Sequence, residues 1–322
     1  MSVDLERIHF RRVALIGIGL INGSLALVLR RAGLADEIVA CARTEETLAK
    51  VRALGLADRT TRVPREAVAG ADLVVLGTPV GACGAVAEAM APGLERHAIV
   101  SDVGSIKAEV IRAVVPHLPD PSQFVAAHPV AGTEHSGPEA AFATLFERRH
   151  CILTPIEDTD PQAVRVVAGL WRAAGCMVET MTPEHHDRVL AITSHLPHLI
   201  AYTIVATVAD LEHHLQAEVL RYAAGGFTDF TRIAASDPVM WRDVFLLNKD
   251  AVLEILGRFT EDLQALSRAI RWGEGDKLED LFTRTRAIRR GVIREGQAYD
   301  RHVLTGGTAT ERVDGADAGG NP

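Results

Sequence analysis

The most constraining stretch lies at residues 13–33. Val13-Ala14-Leu15-Ile16 is a short β-type run that leads directly into Gly17-Ile18-Gly19-Leu20-Ile21-Asn22-Gly23-Ser24. A helical run follows through Arg31 and closes at Gly33. Strand, glycine-rich turn and helix, in that order, are the context that a dinucleotide-binding fingerprint needs. Gly17 permits the tight turn, and Gly19 lets backbone approach a pyrophosphate. The helix N-terminus offers free N–H groups and a partial positive charge, and Leu20, Ile21 and Asn22 of the turn are expected cofactor contacts. Asn22 stands where the usual pattern has its third glycine, with Gly23 next, so a looser helix–strand contact is expected there.

The same rhythm repeats downstream. Apolar runs at residues 37–41, 72–79, 98–102 and 125–128 read as buried strands, separated by helical stretches that start near Glu45 and run over 82–90 and 107–115. Strands alternating with helices imply parallel βαβ units in a doubly wound sheet. Cys151 to Pro155 and Cys176 to Met181 are expected to extend that sheet, with a helix over 161–174 between them. At Thr182-Pro183-Glu184 the pattern changes. Thr182 can cap a helix whose first residue is Pro183. From there apolar residues recur at helical spacing, through 185–209, 213–224, 238–270 and 277–294. The expected class is therefore α/β: a Rossmann-type domain over 1–181, an all-helical domain over 182–298, and a disordered tail over 299–322 that is rich in Gly, Ala, Thr and Asp towards its end.

Composition narrows the setting. The chain has 322 residues and a formal net charge of −8, which argues against a general nucleic-acid binder. The cysteines, Cys41, Cys83, Cys151 and Cys176, form no CxxC pair and read as reduced thiols of a cytoplasmic protein. No apolar signal core precedes Arg12. Residues 189–209 are apolar enough to raise a membrane question. Ser194, His195, Pro197 and His198 near their start favour instead a helix held between protein surfaces, with its polar residues on a cleft.

Open α/β sheets bind ligands beyond the carboxyl ends of their strands. Four such ends converge on one rim here: Gly17 to Gly23, Thr78-Pro79, Asp102 to Lys107, and His128 to Glu134. Cofactor contacts are expected from the first three, and from Arg43 and Thr44 after the second strand. No carboxylate stands at Ala42-Arg43-Thr44 to repel a 2′-phosphate, and Arg43 can pair with one, which leans to NADP and leaves NAD open. His128 ends its strand because Pro129 cannot continue a ladder. Alone it reads as a packed or capping histidine. Ser105 is expected to bond His128 or substrate, and for Lys107 a solvated role weighs as much as a ligand contact. His195 and His198 share a helix face, but no third ligand at matching spacing supports a metal.

GIGLINGS, SDVGSIK, HPVAGTEHSG, TSHLPH, GGFTDFTRIAASDP and MWRD occur in that order. Together they resemble the prephenate/arogenate dehydrogenase family of tyrosine biosynthesis, over roughly residues 13–270. The resemblance implies NAD(P)-dependent oxidative decarboxylation of a cyclohexadienol, and a homodimer formed through the helical domain. It assigns His128 as the catalytic histidine and Ser105 as its serine partner. Arg232 and His195 become substrate-binding residues, and Thr133, Gly226 and Trp241 line the pocket. Glu134 and Asp229 become gating or orienting acids. Two other readings compete: a β-hydroxyacid or pyrroline-carboxylate type reductase, and a non-catalytic NADP-binding sensor. Neither explains HPVAGTE and TSHLPH.

Overall fold

The structure, a computed structural model, describes residues 8–133, 135–211, 221–222 and 225–304, with side chains described to Gly291. Glu134, most of the helix expected over 213–224, and the end of the expected tail from Thr305 onward lie outside the described residues. The chain divides into two compact units, Met1–Leu256 and Gly257–Pro322.

The first unit is built on a six-stranded parallel sheet. Its strands are β1 (Phe10–Ile16), β2 (Ala35–Cys41), β3 (Arg59–Thr61), β4 (Leu73–Leu76), β5 (Ile99–Asp102) and β6 (Phe124–Val125). Their order across the sheet is β3-β2-β1-β4-β5-β6, which reverses direction beside β1. A reversal of this kind opens a crevice at the strand ends. The helices between them are α1 (Leu20–Ala32), α2 (Glu45–Ala53), α3 (Pro64–Val68), α4 (Cys83–Met90) and α5 (Ala108–Val114).

Both sheet faces are covered, so successive residues of one strand enter opposite cores. Val13 and Leu15 of β1 pack with Leu25, Val28 and Leu29 of α1, whereas Ala14 and Ile16 pack with Ala67, Cys83 and Ala87. Burial on both sides explains why these strands read as unbroken apolar runs. The edge strand β3, Arg-Thr-Thr, lacks such a run and was not foreseen.

The expected strand through His128 is in fact two. It breaks at Ala126, with β6 in the parallel sheet and β7 (Ala127–Pro129) in a second sheet. There β7 pairs antiparallel with β8 (His150–Leu153), which pairs in parallel with β9 (Met177–Thr180). Cys151 and Cys176 therefore do not extend the main sheet. The backbone N–H of Thr154 donates to the Ala126 carbonyl at 2.9 Å and anchors the crossing. The helix α6 (Pro161–Ala173), capped by Asp160, packs Val167, Leu170 and Trp171 beneath this smaller sheet.

Thr182 caps α7 (Pro183–Leu190) by accepting from the N–H of His185. A π-helical turn, Ala191–His195, joins α7 to α8 (Leu196–Ala209). Short helical segments at Gly225–Thr231 and Arg232–Ala235 pack on α8. The helix Pro238–Leu247, capped by Asp237, rests on the turn Val80–Ala82 through Trp241 and Val244. Thus the helical part of the first unit is fastened to the sheet beside Thr78-Pro79.

The second unit holds most of the helix Lys249–Arg271 and the helix Gly275–Leu304. The latter runs past residue 298, where the helical region was expected to end. Nothing in 299–304 breaks a helix, and Gly306-Gly307 are the first residues that would.

Candidate active site

The glycine turn comes first. Gly17 has φ +83°, and a Cβ there would lie 2.7 Å from the Gly77 carbonyl oxygen. Over Gly19 an added Cβ meets nothing within 4 Å, so this backbone is open to a ligand. No side chain caps α1 and no acid sits in its first turn. The N–H groups at Leu20, Ile21 and Asn22 are thus left for an anion. These features fit a dinucleotide pyrophosphate.

Asn22 does the opposite of loosening the turn. It is 1% exposed, and its Nδ2 donates to the carbonyls of Gly17 at 2.9 Å and Val75 at 3.1 Å. The side chain thereby ties the turn to β4. The close approach expected of a third glycine occurs at Gly23, where a Cβ would meet the Ala141 methyl at 2.8 Å.

At the end of β2, Arg43 is exposed and Thr44 caps α2. Arg62 joins them, its Nε donating to the Arg43 carbonyl at 2.9 Å. This second guanidinium was not anticipated, because it follows a three-residue strand that the sequence did not reveal. Thr78 and Pro79 follow β4 on the same rim, with Thr78 beside Gly17. The thiols beneath are not reactive groups. Burial pushes Cys41 and Cys83 up to about 11, and all four cysteines are buried and unpaired.

Asp102 faces inward rather than toward a cofactor. Its carboxylate has no exposed surface and accepts from Lys107 Nζ at 2.5 Å and from the N–H groups of Gly104 and Ala127. Lys107 is neither solvated nor open to a ligand. It is fully buried and also donates to the Ala127 carbonyl at 2.7 Å. The pair clamps the loop after β5 onto β7, immediately before His128.

His128 retains 8% exposure. Its Nδ1 lies 2.8 Å from His186 Nε2 and not against Ser105, for which either His128 or substrate is the expected partner. Ser105 is half-buried, and its hydroxyl makes no hydrogen bond among the described residues. His186 Nδ1 lies 2.8 Å from Asp187 Oδ1. The Asp187 carboxylate also accepts the N–H groups of Lys107 and Ala108 at the start of α5, at 2.8 and 3.0 Å. Burial holds His128 well below the ordinary histidine range, with His186, Lys107 and His195 adding to the effect. His186 is also lowered, burial outweighing the pull of Asp187.

Asn248 connects the second histidine. Its Nδ2 donates to the Asp187 carbonyl at 3.0 Å and lies 3.2 Å from His195 Nδ1. His195 has no exposed surface, and its Nε2 is a buried polar atom without a hydrogen-bond partner among the described residues. Burial lowers its pKa to about 4. The Trp241 indole packs edge-on to His195, and His198 stacks on it at 3.7 Å between ring centroids. Burial lowers the pKa of His198, and the nearby Arg232 adds to the effect.

The remaining expected residues lie further out. Thr133 is exposed and accepts from the N–H of His135, and Gly226 and Asp229 are exposed on the short helix Gly225–Thr231. The residues that sequence reasoning missed are His186, Asp187 and Asn248. A signal existed for the first two: Pro183, His186, Asp187 and Leu190 form the buried stripe of α7 at helical spacing.

A phosphate-ready turn on a reversing parallel sheet, with a neutral histidine at the same rim, defines a nicotinamide-dependent dehydrogenase. Comparison with known proteins makes the class specific. Residues 25–180 match the nucleotide-binding domain of prephenate dehydrogenase, and residues 182–284 match its dimerization domain. The cyclohexadienyl dehydrogenase of Zymomonas mobilis is 43% identical over 281 residues, covering 87% of this chain and 95% of its own. The prephenate dehydrogenase of Bacillus subtilis is 37% identical, covering 84% and 72%. Among solved structures, Aquifex aeolicus prephenate dehydrogenase in complex with hydroxyphenyl propionate and NAD⁺ superposes with a TM-score of 0.82. It is 33% identical and covers 91% of this chain and all of that one. The chain belongs to the prephenate dehydrogenase family. This does not favour the two competing readings.

Proposed function

We propose that this enzyme carries out the oxidative decarboxylation of prephenate, arogenate or both, with NADP preferred over NAD. The observation that carries the reading is His128. It is a neutral imidazole at the cofactor rim, held through one nitrogen and making no hydrogen bond to described residues through the other.

When bound, the nicotinamide supplies the hydride acceptor. Arg232 holds a substrate carboxylate through its planar fork. His195 offers its buried Nε2 to the substrate, beside the Trp241 wall. His128 Nε2, with Ser105, holds the 4-hydroxyl. As hydride leaves the carbon bearing that hydroxyl, His128 shares the hydroxyl proton and so draws charge onto the oxygen. The ring carboxylate departs as CO₂, its bonding pair completes the aromatic ring, and the proton stays with the phenol. Aromatisation drives the step, so the chain contributes mainly alignment and polarisation. Thr133, Gly226, Glu134 and Asp229 line or gate this pocket in the same reading.

NADP preference rests on Arg43 and Arg62 standing together at the end of β2, where no carboxylate holds a ribose hydroxyl. A cytoplasmic homodimer through residues 182–298 completes the reading, with neither nucleic acid nor membrane as partner. Within one chain only 28% of the most apolar window of Pro183–Ala209 is buried, and Leu263, Ile270, Phe282 and Ile288 are exposed. Apolar faces of this size are normal in a subunit interface.

Steady-state kinetics over prephenate, arogenate, NAD and NADP test the activity. His128→Asn is expected to lower kcat by about 100-fold or more with little change in substrate KM. A near-wild-type kcat in that variant removes His128 from the chemistry.

A further inference from the structure

The two site histidines are tied to one residue by different routes. Asp187 reaches His128 through its carboxylate and His186, and it reaches His195 through its backbone carbonyl and Asn248. We propose that Asp187 fixes His128 and His195 in opposite neutral tautomers, with His186 and Asn248 as the positioning residues that transmit the constraint. This deepens the reading of His128 as the catalytic residue and rests on it.

The assignment follows from which atoms can donate. A carboxylate only accepts, so His186 Nδ1 must be the donor to Asp187. Burial keeps His186 neutral, so its Nε2 carries no proton and accepts. The partner of that atom, His128 Nδ1, must then donate. His128 is also neutral, which leaves its Nε2 as a bare lone pair. Free histidine side chains favour the other tautomer. The protein thus prepares a hydrogen-bond acceptor for the substrate hydroxyl before substrate arrives.

His195 obeys the same logic with the opposite result. The Asp187 carbonyl only accepts, which orients the Asn248 amide with Nδ2 toward it. The second hydrogen of that NH₂ group points to His195 Nδ1, which accepts. A neutral His195 then carries its proton on Nε2, the atom buried without a partner among the described residues. One histidine is an acceptor and the other a donor, as needed to grip a hydroxyl on one side and an anionic oxygen on the other. The carboxylate cannot drift, because the N–H groups of Lys107 and Ala108, the cap and first residue of α5, also hold it.

Nitrogen-15 histidine labelling of the whole enzyme tests this directly, because ring-nitrogen shifts report which nitrogen carries the proton. His128→Asn and His195→Gln spectra assign the signals. The expected result is a proton on Nδ1 of His128 and on Nε2 of His195. In His186→Leu the acceptor is gone, and the His128 proton should move to Nε2 while kcat falls about 100-fold with substrate and cofactor KM changed less than about threefold. His186→Gln places an amide oxygen near the lost Nε2. It should keep the Nδ1 proton and hold kcat within roughly tenfold of wild type. A wild-type proton on Nε2 of His128 or on Nδ1 of His195 overturns the proposal, as does equal loss of kcat in the Leu and Gln variants. Should His186→Leu fail to fold, the wild-type spectrum and His186→Gln still decide. Full activity in His128→Asn would defeat the catalytic reading instead, and the tautomer spectra would stand apart from it.

Discussion

His128 Nδ1 and His186 Nε2 lie 2.8 Å apart, with the two rings inclined at 69°. This contact supports the imidazole proposed as catalytic through one nitrogen and leaves the other without a hydrogen bond among the described residues. It joins β7 to α7, so in the proposed mechanism the helical segment positions His128.

The depressed histidines predict the pH behaviour. In the proposed mechanism the competent form of His128 is neutral, and burial holds its folded pKa well below 6.5. The acid limb of kcat should therefore fall below 6.5, where an ordinary histidine would place it. For stability the sign is as follows. A histidine with a lowered folded pKa costs nothing above its unfolded pKa, and the unfolded chain binds more protons below it. With His195 at about 4, stability should fall as pH drops from 6.5 toward 4. Thermal melts over that range check it, and His195→Gln should flatten the slope.

Arg43 and Arg62 predict a cofactor effect. Replacing either with alanine should raise the KM for NADP by about tenfold, the loss of one charge-assisted hydrogen bond, and leave that for NAD within about twofold. Equal KM values for NADP in wild type and both variants would remove them from the 2′-phosphate site.

Arg232 predicts a binding effect. Arg232→Ala should raise substrate KM roughly 10- to 100-fold and change kcat much less, because a carboxylate clamp acts in ground and transition states alike. Initial-rate kinetics with saturating cofactor measure the split.

The buried ion pair predicts a stability effect. Lys107→Met leaves the Asp102 carboxylate buried without a counter-charge and should destabilise the fold by about 3–5 kcal/mol. The double variant Lys107→Met, Asp102→Leu should recover much of that loss. Urea unfolding of the single and double variants closes the cycle. A single variant as stable as wild type would show that the pair is not what clamps the loop.

The parallel sheet was legible because its strands are buried on both faces and carry unbroken apolar runs, as in Leu73-Val74-Val75-Leu76. The break at Ala126 was not, since a residue that leaves one sheet for another keeps its apolar neighbours on both sides. Asn22 was misjudged because sequence spacing shows a missing glycine and not the carbonyls that its amide reaches. Asp102 and Lys107 look like rim residues in sequence. Their burial depends on Ala127, some 20 residues from Lys107 along the chain. His186 and Asp187 lie in the first turns of a helix that the sequence does reveal, but in Glu184-His185-His186-Asp187-Arg188 nothing marks which polar residues face inward until the buried stripe is traced. His195 stood out locally as a polar residue in an apolar helix, but its substrate role, like that of Arg232, came from the family motifs.

The π-helical turn at Ala191–His195 carries one more consequence. Such a turn holds one residue more than the α-helix needs, and each residue of an α-helix advances the side chain by about 100°. Deleting a single residue there would restore ordinary helical register and swing His195 away from Asn248, while α7 and α8 stayed helical. Along this segment chain length itself sets where His195 points: a substitution keeps the register, but an insertion or deletion before His195 would turn a key out of its lock.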